Sequence, residues 1–325
     1  MTHSSTYQAV QFDQVGGPEV LKLVTIEKPA VTPGRVLIRN HFIGVNFIDT
    51  YHRGGLYKVQ LPYIPGREAS GVVEAVGDGV EGLKVGDRVA YFDPHTYAEY
   101  TLTSPAEVLV IPDDIGFHDA AGLLLQGLTA LSLVRIAYEV KQGDIVLVHA
   151  AAGGTGRLIV ALAKHYGATV IGTVSTPEKA EVARKAGADH IIFYKEQDIV
   201  AEVKRITNGE GVHAVFDGVG KTTFDASLAS LRNLGFFLSF GNASGKIDDV
   251  DIFKLGPKSI RLMRPSLFSL IPAKDFKKYA PELLELYRQK AFDIYVSKIY
   301  PLKDAAQAHT DLAGGVTVGK LLLQA

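Results

Sequence analysis

Ile145-Val146-Leu147-Val148-His149-Ala150-Ala151-Ala152-Gly153-Gly154-Thr155-Gly156-Arg157 is the stretch that decides the fold. Its first half is a short apolar run, the pattern of a strand buried on both faces. Its second half is a glycine-rich turn, and Gly154–Tyr166 then carries helical periodicity. A strand that feeds such a turn into a helix start aims backbone N–H groups, and the positive end of the helix dipole, at an anion. The strict G-x-G-x-x-G spacing is absent, the pattern being Ala150-x-x-Gly153-x-x-Gly156. An ordinary strand-to-helix turn looks the same locally, so the surrounding sequence has to decide.

Downstream the alternation continues. Thr169–Thr173, His190–Phe193, Ala214–Asp217 and Phe236–Phe240 read as strands, with helices at Pro177–Ala186, Asp198–Thr207 and Thr222–Ser230 between them. Thr176 is an N-cap and Pro177 sits in the first turn. Strand-helix alternation of this kind implies a parallel, doubly wound sheet of the Rossmann type, and the glycine turn then reads as a pyrophosphate cradle. Upstream, residues 7 to about 110 are short β runs broken by Gly16-Gly17-Pro18, Pro33-Gly34, Gly77-Asp78-Gly79 and Val85-Gly86-Asp87, the text of a β-rich barrel or sandwich. His118–Tyr138 and Lys274–Lys290 read as helices. The last short run, Lys320–Leu323, resembles the first region. We therefore expect an α/β protein with a discontinuous domain, 1–125 and 266–325, around a dinucleotide-binding domain at 126–265. The length of 325 residues agrees with two domains at about 150 residues each.

At the end of the second Rossmann strand an NAD site usually carries a carboxylate for the ribose 2′-hydroxyl, about 20 residues past the loop. Here the residues are Gly172, Thr173, Ser175 and then Lys179. Small hydroxyls and a lysine suit a 2′-phosphate, which a carboxylate would repel, so NADPH is the expected cofactor. Lys179 also reads as a solvated helix lysine.

Several kinds of chemistry are excluded. There is no cysteine, hence no disulfide, thiolate zinc site, iron–sulfur cluster or cysteine nucleophile. No two of the ten histidines lie within five residues, so no short-spaced metal pair exists, and no G-x-S-x-G elbow supports a serine hydrolase. His149, ending an apolar strand, reads as a packed core histidine. Lys+Arg is 34 against 35 Asp+Glu, which gives no global field for polyanions. The apolar stretch Ala120–Val134 is interrupted by Gln126, Thr129 and Ser132 and is shorter than the ~20 residues of a membrane span. With a polar start lacking a signal-peptide pattern, the expectation is a cytoplasmic protein without membrane partners.

Period alone does not explain Gly44-Val-Asn46-Phe-Ile-Asp49-Thr-Tyr51-His-Arg-Gly-Gly-Leu-Tyr57. It is followed by Pro65-Gly66-Arg67-Glu68-Ala-Ser-Gly71, Val85-Gly86-Asp87-Arg88-Val89 and the glycine loop. In that order the blocks resemble the medium-chain dehydrogenase/reductase superfamily, and within it the zinc-free NADPH:quinone oxidoreductases of the zeta-crystallin type. Ser239-Phe-Gly-Asn242-Ala-Ser-Gly245, Arg264-Pro-Ser-Leu267 and Tyr300-Pro-Leu-Lys-Asp-Ala305 extend the resemblance almost to the end.

The resemblance implies a GroES-like fold for the β-rich domain. It places Asn46, Asp49, Tyr51 and Tyr57 along the nicotinamide and substrate cleft. It places Gly153, Gly154, Thr155 and Gly156 at the pyrophosphate, and Lys179 and Tyr194 around the 2′-phosphate. Phe240, Asn242, Arg264, Ser266 and Leu267 fall at the nicotinamide end, and Thr129 is a further cofactor contact. Relatives carry Arg or Lys near the position of Gly315; here Lys320 is the cation that follows, and it is assigned to the cofactor. Zinc alcohol dehydrogenases have a histidine ligand where Arg67 stands, and an arginine offers no lone pair. No metal site is expected.

The implied activity is metal-free quinone reduction by NADPH in a homodimer joined near Phe236–Phe240 and Leu262–Leu267. The nearest alternative is reduction of an enone or alkenal C=C bond, with Tyr57 as proton donor. RNA binding or a crystallin-like structural role is the alternative of another class. Lys254, Lys258, Arg261, Arg264, Lys274, Lys277 and Lys278 form a basic stretch whose first four members are spaced close to one helical face. It lacks the aromatic interleaving of single-strand binders.

Overall fold

The structure is a computed structural model that describes residues 5–325. In chain order its first half forms β1 (Thr6–Gln11), β2 (Lys22–Glu27), β3 (Val36–Val45), α1 (Phe47–Arg53), β4 (Glu68–Val76), β5 (Arg88–Phe92), β6 (Tyr100–Thr103), β7 (Val108–Val110) and α2 (Phe117–Ser132). Then come β8 (Ile145–Val148), α3 (Gly154–His165), β9 (Thr169–Val174), α4 (Pro177–Lys185), β10 (His190–Phe193), α5 (Ile199–Ile206), β11 (Val212–Asp217), α6 (Phe224–Ser230) and β12 (Leu231–Ser239). The chain ends with β13 (Arg261–Met263), α7 (Leu267–Leu270), α8 (Ala273–Arg288), β14 (Val296–Pro301), α9 (Ala305–Ala313) and β15 (Lys320–Gln324).

These elements fall into two units. Unit two, Gln126–Pro272 and Glu282–Asp293, is built on a six-stranded parallel sheet in the order β10-β9-β8-β11-β12-β13. Numbered within the sheet this is the 3-2-1-4-5-6 order of the dinucleotide-binding fold, with its reversal point between β8 and β11, beside the glycine turn. Leu147, Ile171, Ile192, Val215 and Phe237 fill its core. β12 is covered by β13, so Phe236–Phe240 is not a sheet edge; β13 is. That corrects the expectation of an edge strand at Phe236–Phe240.

Unit one, Met1–Leu125, Ala273–Pro281 and Ile294–Ala325, holds a seven-strand sheet of order β14-β15-β3-β4-β5-β7, with β6 paired to β3. Ile38, Ile43, Val89, Tyr91, Tyr97 and Leu323 are among its core residues. β15 lies inside this sheet, parallel to β14 and antiparallel to β3, so the final residues return to the first region. The return is later and less clean than 266. Residues 266–272 and 282–293 belong to unit two, because Leu283 packs against Gly127, Arg135 bonds Glu282 at 2.7 Å and Arg157 bonds Asp293.

With the π turn Leu133–Ala137, α2 makes a helix of 21 residues, long and apolar enough to cross a membrane, and most of it is buried in protein as a core helix is. α1, β2, β6, β13, β14, α7 and α9 have no counterpart in the sequence reading. α1 is the consequential one, since it carries Asp49 and Tyr51. It is seven residues long and rich in aromatic and β-branched side chains, so periodicity misses it. Its start signal, Asn46 with Asp49 three residues on, was there to be read.

Candidate active site

In unit two, Gly153 is the N-cap of α3 and offers no side-chain cap, so the first-turn N–H groups of Gly154, Thr155 and Gly156 have no intrahelical acceptor. The turn is tight on its inner side. A Cβ on Gly156 would lie 2.2 Å from the Ala150 carbonyl, and one on Gly154 2.3 Å from the Gln126 side chain. Gly156 thus lets the start of α3 pack closely on the backbone after β8, and Gly154 leaves room for the Gln126 amide, the close helix-on-strand packing that the glycines of a dinucleotide-binding turn provide. Gln126 was visible in the sequence only as an interruption of an apolar run. Thr129, one turn along α2, is half-buried.

At the end of β9, Ser175 is half-buried, Thr176 caps α4 by accepting from the Lys179 N–H, and Tyr194 stands exposed. Residues 172–176, at the end of β9, include no Asp or Glu; the first acidic residue beyond them is Glu178, exposed in the first turn of α4. Burial lowers the pKa of Lys179, and the positive charge of Lys195, a residue the sequence reading missed, lowers it further. Two lysines that repel one another are the donor set a 2′-phosphate would reconcile. Thr173 requires a correction: its side chain is 2% exposed and its Oγ1 is 3.1 Å from His149 Nδ1, inside the sheet, not at a ribose.

The loops after β11 and β12 interlock. Phe240 N donates to Asp217 O at 2.8 Å, Ser244 N to Val219 O at 2.8 Å, and the Phe240 ring lies against Gly218. Arg264 Nη1 donates to Ser239 O at 2.7 Å, and Asn242, with its amide turned to suit, accepts from Arg264 Nη2 at 2.9 Å. Ser266 is the exposed N-cap of α7, which starts at Leu267. The structure therefore brings Phe240, Asn242 and Arg264 together.

The basic stretch does not form one face. Lys254 pairs with Asp225, Lys258 donates to Ala229 O and Leu231 O, and residues 261–263 are a strand; Lys274, Lys277 and Lys278 belong to the other unit.

In unit one the site is built around the start of α1. Asn46 N donates to Asp49 Oδ2 at 2.9 Å, one arm of a capping box. The Asn46 amide is held at both ends: Lys320 Nζ donates to its Oδ1 at 2.8 Å, and its Nδ2 donates to Glu68 Oε1 at 2.9 Å. Lys320 also donates to Glu68 Oε1 at 2.6 Å, and Leu125 N donates to Glu68 Oε2 at 2.7 Å. This overturns the assignment of Lys320 to the cofactor. Its amine is 2% exposed and neutralised by Glu68, because β15 is an inner strand and its first residue points into the core.

Asp49 is fully buried, and burial raises its pKa to about 7 against the N–H of Asn46, the Tyr97 hydroxyl, Lys320 and Arg67, which favour the anion. Arg53 Nη1 is 3.1 Å from His309 Nδ1, His309 Nε2 is 3.0 Å from Tyr97 Oη, and Tyr97 donates to Asp49 Oδ2 at 3.0 Å. Arginine only donates, so His309 accepts at Nδ1 and carries its hydrogen on Nε2. Burial holds His309 neutral, with a pKa of about 3. Oδ2 thus receives two donors, and below neutral pH the proton of Asp49 sits on Oδ1, which has no hydrogen-bond partner. Tyr51 and Tyr57 are half-buried, their rings packed edge to face at 5.4 Å. His52, one turn beyond Asp49, is buried, and its pKa falls to about 4 through burial and Arg67.

Comparison with known proteins adds the lineage. Residues 32–124 match the alcohol dehydrogenase GroES-like domain and residues 154–285 the zinc-binding dehydrogenase domain. The chain is 43% identical over 317 residues to a probable quinone oxidoreductase of Schizosaccharomyces pombe, covering 97% of this chain and 96% of that one. It is 40% identical over 319 residues to a 2-haloacrylate reductase of a Burkholderia species, covering 95% and 96%. Among solved structures it is similar to Escherichia coli quinone oxidoreductase complexed with NADPH, with a TM-score of 0.95 and 39% identity over 99% of this chain and 100% of that one.

Proposed function

Since the chain belongs to the quinone oxidoreductase family of medium-chain dehydrogenases/reductases, we propose that it is an NADPH-dependent quinone reductase working without a metal. The observation that carries the cofactor choice is the corner after β9, where Lys179 and Lys195 face one another and the strand end, residues 172–176, has no Asp or Glu for a ribose 2′-hydroxyl. When bound, NADPH supplies the hydride. The first-turn amides of α3 hold its pyrophosphate, and Lys179 with Lys195 holds the 2′-phosphate. Arg264 and Asn242 steady the loop that carries Phe240. In the other unit, Glu68 and Lys320 fix the Asn46 amide, and burial raises the pKa of Asp49 to about 7.

A quinone needs little acid catalysis, because its reduced oxygens accept hydrogen bonds well and take protons from water. Metal independence is supported by residue chemistry: Arg67 stands where zinc relatives have a histidine ligand, and the chain has no cysteine. Dialysis against EDTA should leave turnover unchanged. A homodimer is supported by β13 standing at the edge of its sheet and by the exposed Ile252 and Phe253 near it in sequence. Sedimentation equilibrium tests it.

The 40% identical 2-haloacrylate reductase favours a second reading, reduction of activated C=C bonds. Steady-state rates with NADPH and NADH against 1,2-naphthoquinone and a simple enone decide among these. Better use of NADH overturns the cofactor assignment, and an enone kcat/KM above that for the quinone overturns the substrate assignment. A Tyr57→Phe variant that loses enone turnover but keeps quinone turnover would make Tyr57 the proton donor to the α-carbon.

A further inference from the structure

Beneath the glycine turn, buried polar side chains from four elements are joined in series. His149 is 1% exposed. Its Nε2 is 3.0 Å from Ser227 Oγ and its Nδ1 3.1 Å from Thr173 Oγ1. Ser227 Oγ donates to Asp217 Oδ2 at 2.8 Å, as does Thr223 Oγ1 at 2.7 Å. Asp217 Oδ1 accepts from Val219 N at 2.8 Å and Gly220 N at 3.0 Å.

Counting hydrogens fixes the direction of this chain. The Asp217 carboxylate only accepts, and Ser227 has one proton, which it gives to Asp217. His149 must therefore donate from Nε2 to Ser227. A neutral imidazole then has Nδ1 free to accept, and Thr173 donates to it. Burial lowers the His149 pKa while Asp217 pulls the other way, and the neutral form is the one that satisfies every partner.

The chain's position gives it a role. His149 directly precedes Ala150, whose φ of +51° is a left-handed conformation that L residues adopt reluctantly. The backbone is fixed on both sides of that residue, His149 N to Phe216 O at 3.0 Å and Ala151 N to Thr173 O at 3.1 Å. Thr173 lies inside β9, two residues before Ser175 and the turn that leads to Lys179, and Asp217 holds the loop that interlocks with Phe240. One imidazole thus ties together the start of the phosphate turn, the end of β9 and the loop after β11.

We propose that His149 is a positioning residue for NADPH, holding these three cofactor-bearing segments in register. The proposal rests on the cofactor reading given above.

Side-chain 15N NMR of the protein without nucleotide should show His149 as the neutral Nε2–H tautomer from pH 6 to pH 8. An Nδ1–H tautomer, or titration in that range, overturns the wiring. NADPH binding, followed by calorimetry, should weaken roughly tenfold in His149→Leu, which loses two buried hydrogen bonds. KM for NADPH should rise in parallel, with little change in KM for the quinone. His149→Gln, which keeps a donor toward Ser227, should recover part of the affinity. Thr173→Val, nearly the same size, breaks the chain at its other end and should weaken NADPH binding in the same direction, even if His149→Leu does not fold. Wild-type affinity in Thr173→Val and in every folded His149 variant overturns this inference alone. A wild-type protein that takes up no NADPH overturns the cofactor reading and this inference together.

Discussion

Burial carries Asp49 from the ordinary carboxylate value of 3.8 to about 7, and the sign of the consequence can be worked out. Between those values the unfolded chain has released this proton and the folded chain still holds it. The folded state therefore loses stability as pH rises from about 4 through 7. Asp49→Asn mimics the protonated acid and lacks this drift. Urea unfolding should show the variant gaining on the wild type by on the order of 3 kcal/mol between pH 4 and pH 8; a pH-independent difference would refute it. The measurement has to be a difference, because His309 drifts the other way. Its pKa falls from 6.5 to about 3, so its contribution is intact above 6.5 and is lost as pH falls toward 3. At this scale the sequence was informative about residue type and silent about environment. Asp49 could be picked out by resemblance, but its proton depends on burial set against Asn46, Tyr97, Lys320 and Arg67, the farthest of them 271 positions away along the chain.

Elements fix where the reading succeeded. The glycine turn needed only local sequence, because strand, turn and helix are adjacent in the chain and the steric demand for glycine is local. Its geometry predicts a contrast. Gly156→Ala would put a methyl 2.2 Å from the Ala150 carbonyl and must move backbone, whereas Gly153→Ala meets the same oxygen at 3.2 Å. Gly156→Ala should cost roughly 1–3 kcal/mol and raise KM for NADPH; Gly153→Ala should do clearly less of both, as read by thermal melts and initial rates. Lys320 is the opposite case. Sequence adjacency to the final glycines suggested a phosphate ligand, but β15 turns the amine into the core against Glu68. Lys320→Met leaves that carboxylate uncompensated and should cost about 3–5 kcal/mol, while adding Glu68→Gln should restore part of it by removing the stranded charge. Equal losses in the single and double variants, measured by urea unfolding, would contradict the ion-pair account.

For the whole molecule, the decisive feature is the return of the last strand. Leu321, Leu322 and Leu323 are all essentially buried, between β14 and β3. Deleting residues 316–325 should open the unit-one sheet at an inner position rather than trim an edge. The truncated protein should lose cooperative thermal unfolding and bind a hydrophobic dye, and a truncation with a wild-type melt would show β15 to be dispensable.

The amino-acid sequence determined the parallel α/β unit, its phosphate turn and the absence of cysteine chemistry, because each follows from residue type and spacing within a few dozen positions. The tertiary structure decided that Lys320 neutralises Glu68, that Thr173 bonds His149, that burial raises the pKa of Asp49 and that α8 is shared between two units. Those outcomes depend on burial and on partners distant in the chain, and a side chain's charge and bonding are set by what surrounds it in space.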